Sequence, residues 1–183
     1  MRLAALLLAA SLAALPPAAW AGGAEPPQST PQAIVPQAIV EALYRPYLAD
    51  PHAEKDTTID SVAQVRRRAT PALARLLDAN RACEKRTQGI CALDFDIIID
   101  GQDWDLSGFG LQADASGDTA AVTARFSNLG PRVLAYHFVR TGGRWLIDDL
   151  VILKDDAGAA DHPWSLKDTL AAEYGPTARK KHR

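Results

Sequence analysis

Thr119-Ala-Ala-Val-Thr-Ala-Arg-Phe-Ser-Asn-Leu-Gly-Pro-Arg-Val-Leu-Ala-Tyr-His-Phe-Val-Arg-Thr141 reads as two strands and the turn between them. Val122, Ala124 and Phe126 fall on one side of an extended chain, and Thr123, Arg125 and Ser127 on the other. That period of two marks a half-buried strand. Leu129-Gly130-Pro131 interrupts it, and Arg132–Thr141 resumes with Leu134, Tyr136 and Phe138 opposite Val133, Ala135, His137 and Val139. Both sides of the second strand are partly apolar, the pattern of a strand covered on both faces.

Further turn signals flank this pair. Ser116-Gly117-Asp118 separates it from Leu106–Ala115, and Gly142-Gly143 leads into Arg144–Leu153. Glycine supplies the positive φ of tight hairpins. Connections this short join only antiparallel neighbours, because parallel strands need a crossover of about a dozen residues. The reading is a four-stranded antiparallel meander. Asp156 to His162 is expected to be a loop, and Ser165 to cap a short final helix, Leu166–Tyr174, stopped by Gly175-Pro176.

Upstream, the spacing predicts three helices that cover one face of the sheet. Pro36 suits the first turn of one that places Ile39, Ala42, Leu43 and Tyr47 on a single side, until Pro46 bends or ends it. Asp60 or Ser61 caps a second helix running to Arg68, and Thr70-Pro71 starts a third, with Val62, Val65, Ala69, Leu73, Leu76 and Leu77 as the buried stripe. Arg66, Arg67 and Arg68 point around the helix instead of converging, which makes them a solvated face. The class is α+β.

The ends have their own character. Arg2, the apolar run Leu3–Leu15 and Ala19-Trp20-Ala21 have the form of an export signal cleaved near Ala21. The apolar run is too short to anchor in a bilayer, which needs about 20 apolar residues, and no other stretch is a membrane span. Residues 22–36 form a leader rich in Gly, Pro, Gln and Ser, in which Pro31-Gln-Ala-Ile-Val35 is repeated as Pro36-Gln-Ala-Ile-Val40. A single domain follows over 37–175, and a basic tail over 176–183. The expected compartment is the periplasm or the medium.

Composition excludes some functions. With 20 basic against 22 acidic residues and a net charge of −2, the chain has no electrostatic footprint for nucleic acid. Cys83 and Cys91, the only cysteines, form an even pair that reads as a disulfide in an exported protein. No cofactor motif, phosphate loop or nucleophile elbow occurs. Asp94, Asp96, Asp100, Asp103 and Asp105 are dense enough to suggest calcium. A calcium loop, however, needs Gly at its sixth position and Glu at its twelfth, and Gly101 and Leu111 do not supply that spacing. The expectation is that Asp94 and Asp96 edge a short strand with Phe95, Ile97 and Ile99, and that Asp100–Asp105 shapes a turn.

Three segments together carry a resemblance: Asp94-Phe-Asp-Ile-Ile-Ile-Asp-Gly-Gln-Asp-Trp104, Gly143-Arg-Trp-Leu-Ile-Asp-Asp-Leu150 and Ser165-Leu-Lys-Asp-Thr-Leu170. Over about Ile39 to Leu170 the chain resembles a family of exported bacterial domains of unknown function in the nuclear-transport-factor-2-like superfamily. The resemblance implies a cone of helices packed into a curved antiparallel sheet, and a homodimer through the open sheet face. Lys167 departs from the Arg expected in many relatives, and an ammonium makes point contacts where Arg makes a fork. The superfamily includes isomerases, dehydratases and binding modules, so the fold leaves the chemistry open.

Two functions follow. The first is a non-catalytic envelope module that binds a partner protein or a small apolar ligand, with Tyr44, Asp103, Trp104, Tyr136 and Trp145 as ligand-facing residues. The second is an isomerase, dehydratase or hydrolase in which His137 and Asp149 act as acid and base and Tyr44 or Tyr136 donates a hydroxyl. Adjacent strand residues face opposite ways, so one of Asp148 and Asp149 should point inward to a partner such as Arg125, Arg132 or Tyr44.

Overall fold

The computed structural model describes residues 31–55, 58–155 and 158–176. The export signal, the first part of the leader and the tail beyond Pro176 lie outside the described residues. Three helices come first, α1 (Pro31–Leu48), α2 (Ser61–Arg66) and α3 (Pro71–Thr87). Five strands follow, β1 (Leu106–Ser116), β2 (Thr119–Asn128), β3 (Pro131–Thr141), β4 (Arg144–Asp155) and β5 (Gly158–Ser165), and then α4 (Leu166–Tyr174). The strands lie in chain order in one sheet, each antiparallel to the next. The class is α+β as expected, with one strand more than the sequence suggested.

That strand is the segment read as a loop. Gly158 pairs with Asp155 and Ser165 with Val151. The run Gly158-Ala-Ala-Asp-His-Pro163 has no alternation and no β-branched residue, so nothing local announces it. Pairing with the edge of β4 supplies what propensity lacks, and an edge strand tolerates Pro163.

The helices begin where their caps place them. Asp60 accepts the Ala63 amide at 2.8 Å, Thr70 accepts that of Leu73 with Pro71 in the first turn, and Ser165 accepts that of Asp168 at 3.0 Å. Helix α1 differs, because it starts at Pro31, one repeat before the expected Pro36. Ala33 is fully buried, so the first copy has a core to pack against. Five residues turn a helix by roughly 140° from register, which is why Val40 is buried while Val35 is 53% exposed.

Helix α1 packs on β1 and β2, and α3 lies beside α4. Val122, Ala124 and Phe126 of β2 and Leu134, Tyr136 and Phe138 of β3 all face the core, as their alternation predicted. The link from α2 to α3 covers the part of β4 that β5 leaves open. The Thr70 amide donates to the Ile147 carbonyl and the Ile147 amide to the Arg68 carbonyl, both at 2.8 Å.

Between α3 and β1 the chain forms turns instead of the short strand expected around Asp94 and Asp96. One bridge joins Asp96 to Gly101, and Ile97, Ile98 and Ile99 are all fully buried. Three consecutive buried residues cannot lie on one face of a strand. Cys83 and Cys91 are joined as a disulfide that staples the end of α3 to this segment.

Candidate functional site

The paired aspartates of β4 sit at a bulge. His137 pairs with Asp149 and Phe138 with Ile147, which leaves Asp148 as the extra residue. A bulge sets two residues against one and cancels the alternation between them. Neither aspartate is buried, in contrast to the expectation that one would point inward. Their partners are also not those expected. Asp148 accepts the Thr70 hydroxyl at 3.1 Å and the Lys167 ammonium at 2.6 Å. Asp149 accepts the Ser165 hydroxyl at 2.7 Å and the backbone amides of Lys167 at 2.9 Å and Leu150 at 2.8 Å. Both carboxylates thus lie at helix N-termini, where the helix dipole favours negative charge. The expected partner Arg132 is instead buried against Asp100, 3.1 Å from its carboxylate.

His137 is exposed, beside Asp149 on the outer side of the sheet. Tyr44 and Tyr136 are fully buried on the inner side. The Tyr136 hydroxyl donates to that of Tyr44 at 3.1 Å, and Tyr44 donates to the Ile98 carbonyl at 2.8 Å. Burial pushes both phenols above their ordinary range. The sheet therefore separates the His/Asp pair from the hydroxyls it was to work with.

The remaining ligand-facing candidates are also scattered. Trp104 stacks edge-on against Tyr47 and donates to the Asp50 carbonyl at 2.7 Å. Asp103 lies exposed in a turn, where its carbonyl accepts from the Asn128 amide group at 3.2 Å. Trp145 is buried at the far end of β4, with the Arg140 guanidinium 6.0 Å from its ring centroid. The acidic cluster divides too: Asp105 pairs with His52 at 2.7 Å, and Asp100 with Arg132. Among the described residues no group of three His, Cys, Asp or Glu could hold a metal ion.

Concave surfaces lie elsewhere. A groove of about 790 Å³ runs between α3 and α4, walled by Ala72, Leu76, Ala79, Ala171, Tyr174 and Pro176. Its charged residues are Arg75 and Asp78. Asp78 is held by Arg66 through two bonds of 2.7 and 2.8 Å, and those bonds keep its carboxyl below the ordinary range. Arg75 is exposed and has no ion pair among the described residues. Tyr174 fixes one side of the groove by donating to Asn80 at 3.0 Å. A second trough, about 520 Å³, is lined by Asp60, Ser61, Glu84, Asp94 and Asp96 among others. The sequence reading missed the α3–α4 groove, although Leu76 and Ala79 could have been seen to stay half-exposed once Leu73 and Leu77 filled the core.

The chain matches no protein-family model, no curated protein and no solved structure.

Proposed function

We propose that this chain is an exported, non-catalytic module of the cell envelope that binds a small amphiphile, apolar in body and carrying one anionic group, between α3 and α4. The observation that carries the reading is the combination, in one groove, of aliphatic and aromatic walls with Arg75, a cation without an ion pair among the described residues. Binding sites of this volume are mostly apolar, with a few polar groups that fix orientation. A guanidinium suits a carboxylate or phosphate. Export is supported by the form of the first 21 residues and by the Cys83–Cys91 disulfide, which persists in oxidising compartments. Membership of the nuclear-transport-factor-2-like superfamily belongs to the same proposal, supported by helices that precede an antiparallel sheet.

A catalytic role is less well supported, because His137 and Asp149 share the outer side of the sheet while Tyr44 and Tyr136 are inside it. The test is calorimetric titration with dodecanoate, kept below its micelle concentration, with decylamine as the control of opposite charge. Dodecanoate is expected to bind, Arg75→Gln to weaken it about tenfold, and Ala79→Trp to abolish it by filling the groove. Equal binding to all three proteins, or tighter binding of decylamine, defeats the proposal.

A further inference from the structure

Helix α1 buries one side and leaves the other bare. Ala33, Val40, Leu43, Tyr44 and Tyr47 face the core. Opposite them, Ile34, Ala38, Glu41, Arg45 and Leu48 are all exposed. Of the five large apolar side chains left exposed among the described residues, three belong to α1: Ile34, Val35 and Leu48. The bare residues follow one another at steps of four, three, four and three. That is the interval at which one helix keeps a seam turned toward another. The first copy of the duplicated Pro-Gln-Ala-Ile-Val segment lengthens the helix by about 7.5 Å, and it brings Ile34 and Val35 to this face.

We propose that this face of α1 is a homodimer contact, in which two copies of the chain pair α1 against α1, antiparallel, about a twofold axis. The charges on the face fit a second copy. With the axis level with residue 43, Glu41 of each copy meets Arg45 of the other, twice over by symmetry. Ala38 of each copy then meets Leu48 of the other, and Ile34 lies one turn beyond. Neither Glu41 nor Arg45 has an ion pair among the described residues. The Gln37 side chain donates to Glu41 at 3.2 Å and keeps the carboxylate along the helix. A lipid surface calls for a basic rim, whereas here one acid and one base stand at the centre.

Ala38 does not hold the helices apart, so they can approach to about 8 Å. Apolar contact toward the ends supplies the attraction, and the two central ion pairs set direction and register more than strength. One helix seam is small. The interface stays below about 1,200 Å², the range of weak and reversible association. Every residue of the seam lies on α1, so the contact stands whether or not the groove between α3 and α4 binds an amphiphile.

Sedimentation of the protein at concentrations up to about 1 mM tests this, with a dissociation constant expected on the order of 100 μM. Glu41→Arg alone and Arg45→Glu alone each set like charges together twice, and each should weaken self-association about tenfold. Both side chains are exposed, so the variants keep the fold. An equimolar mixture of the two variants should recover the association, because every contact between unlike copies again joins an acid to a base. Both substitutions in one chain should recover it as well. A protein that stays monomeric throughout overturns the proposal. Association that ignores both substitutions overturns it too, and assigns the contact to another face such as the outer side of the sheet. A mixture that fails to recover has the same consequence.

Discussion

The Asp149 carboxylate meets the Lys167 backbone amide at 2.9 Å, and through that bond the sheet takes hold of its C-terminal helix. The other Asp149 oxygen accepts the Ser165 hydroxyl, while the Ser165 oxygen itself accepts the Asp168 amide. Strand β4, the cap and the first turn of α4 are thus linked through two side chains. Leu166 and Leu170 are fully buried, so the bonds steer an apolar helix face that has to land in one place.

Asp149→Ala removes the acceptor of the Lys167 and Leu150 amides and of the Ser165 hydroxyl. The loss should be about 2 kcal/mol, within the range for partly buried donors left unsatisfied. Asp149→Asn keeps one acceptor and should cost less. His137→Ala, across the strand pair, should change stability by less than about 0.5 kcal/mol, because an exposed side chain away from any network rarely matters. Urea unfolding of the three variants measures this order. A His137 variant as damaged as Asp149→Ala would mean that the two act together after all.

The buried tyrosines should respond unequally. Tyr44 is both donor and acceptor: it donates to the Ile98 carbonyl at 2.8 Å and receives the Tyr136 hydroxyl at 3.1 Å. Tyr44→Phe strands a buried carbonyl and a buried hydroxyl, at about 1–3 kcal/mol. Tyr136→Phe removes only a donor and leaves the Tyr44–Ile98 bond intact, so its cost should fall below about 1 kcal/mol. Equal losses in thermal unfolding would contradict this directional chain.

Cys83 and Cys91 are eight residues apart. A cross-link over so short a loop restricts the unfolded chain by about 2.5 kcal/mol on the loop-entropy relation. Replacing both by serine should lower the unfolding free energy by that amount, read as a fall in the denaturant midpoint equal to that energy divided by the slope. The slope of the transition should barely change, since little additional surface is exposed in a short loop.

Much of the scaffold was legible because it rests on local signals. Gly117 and the Gly142-Gly143 pair adopt positive φ where the hairpins turn, and Asp60, Thr70 and Ser165 cap the helices expected of them. The errors share a different cause, since each depends on a neighbour far along the chain. Strand β5 exists because β4 offers an edge, and α1 begins early because Ala33 finds a core. Asp148 and Asp149 escape the alternation rule through a bulge set by β3. Asp96 looked like a surface acid until Tyr47, 49 residues away, supplied a hydroxyl. Tyr44 and Tyr47 nonetheless carried a hint: phenols on the buried stripe of a helix need polar partners inside.

Gly175 closes α4 at the end of the groove, and its need for glycine is steric. Its φ of −72° is open to any residue. A Cβ built there, however, would lie 2.3 Å from the Ala171 carbonyl oxygen, the same oxygen that accepts the Gly175 amide at 2.8 Å. That oxygen is backbone in the helix and cannot swing aside as a side chain would. Gly175→Ala must therefore unwind the last turn or tilt it, at about 1–3 kcal/mol by analogy with overpacked sites. The shift should pull the Tyr174 hydroxyl away from Asn80, whose oxygen also holds the Ala92 amide at 2.9 Å. Amide NMR should therefore report the change at Ala92, outside the helix, as well as at Ala171. If Gly175→Ala unfolds with the native protein and leaves the Ala92 signal in place, α4 does not end in the way described.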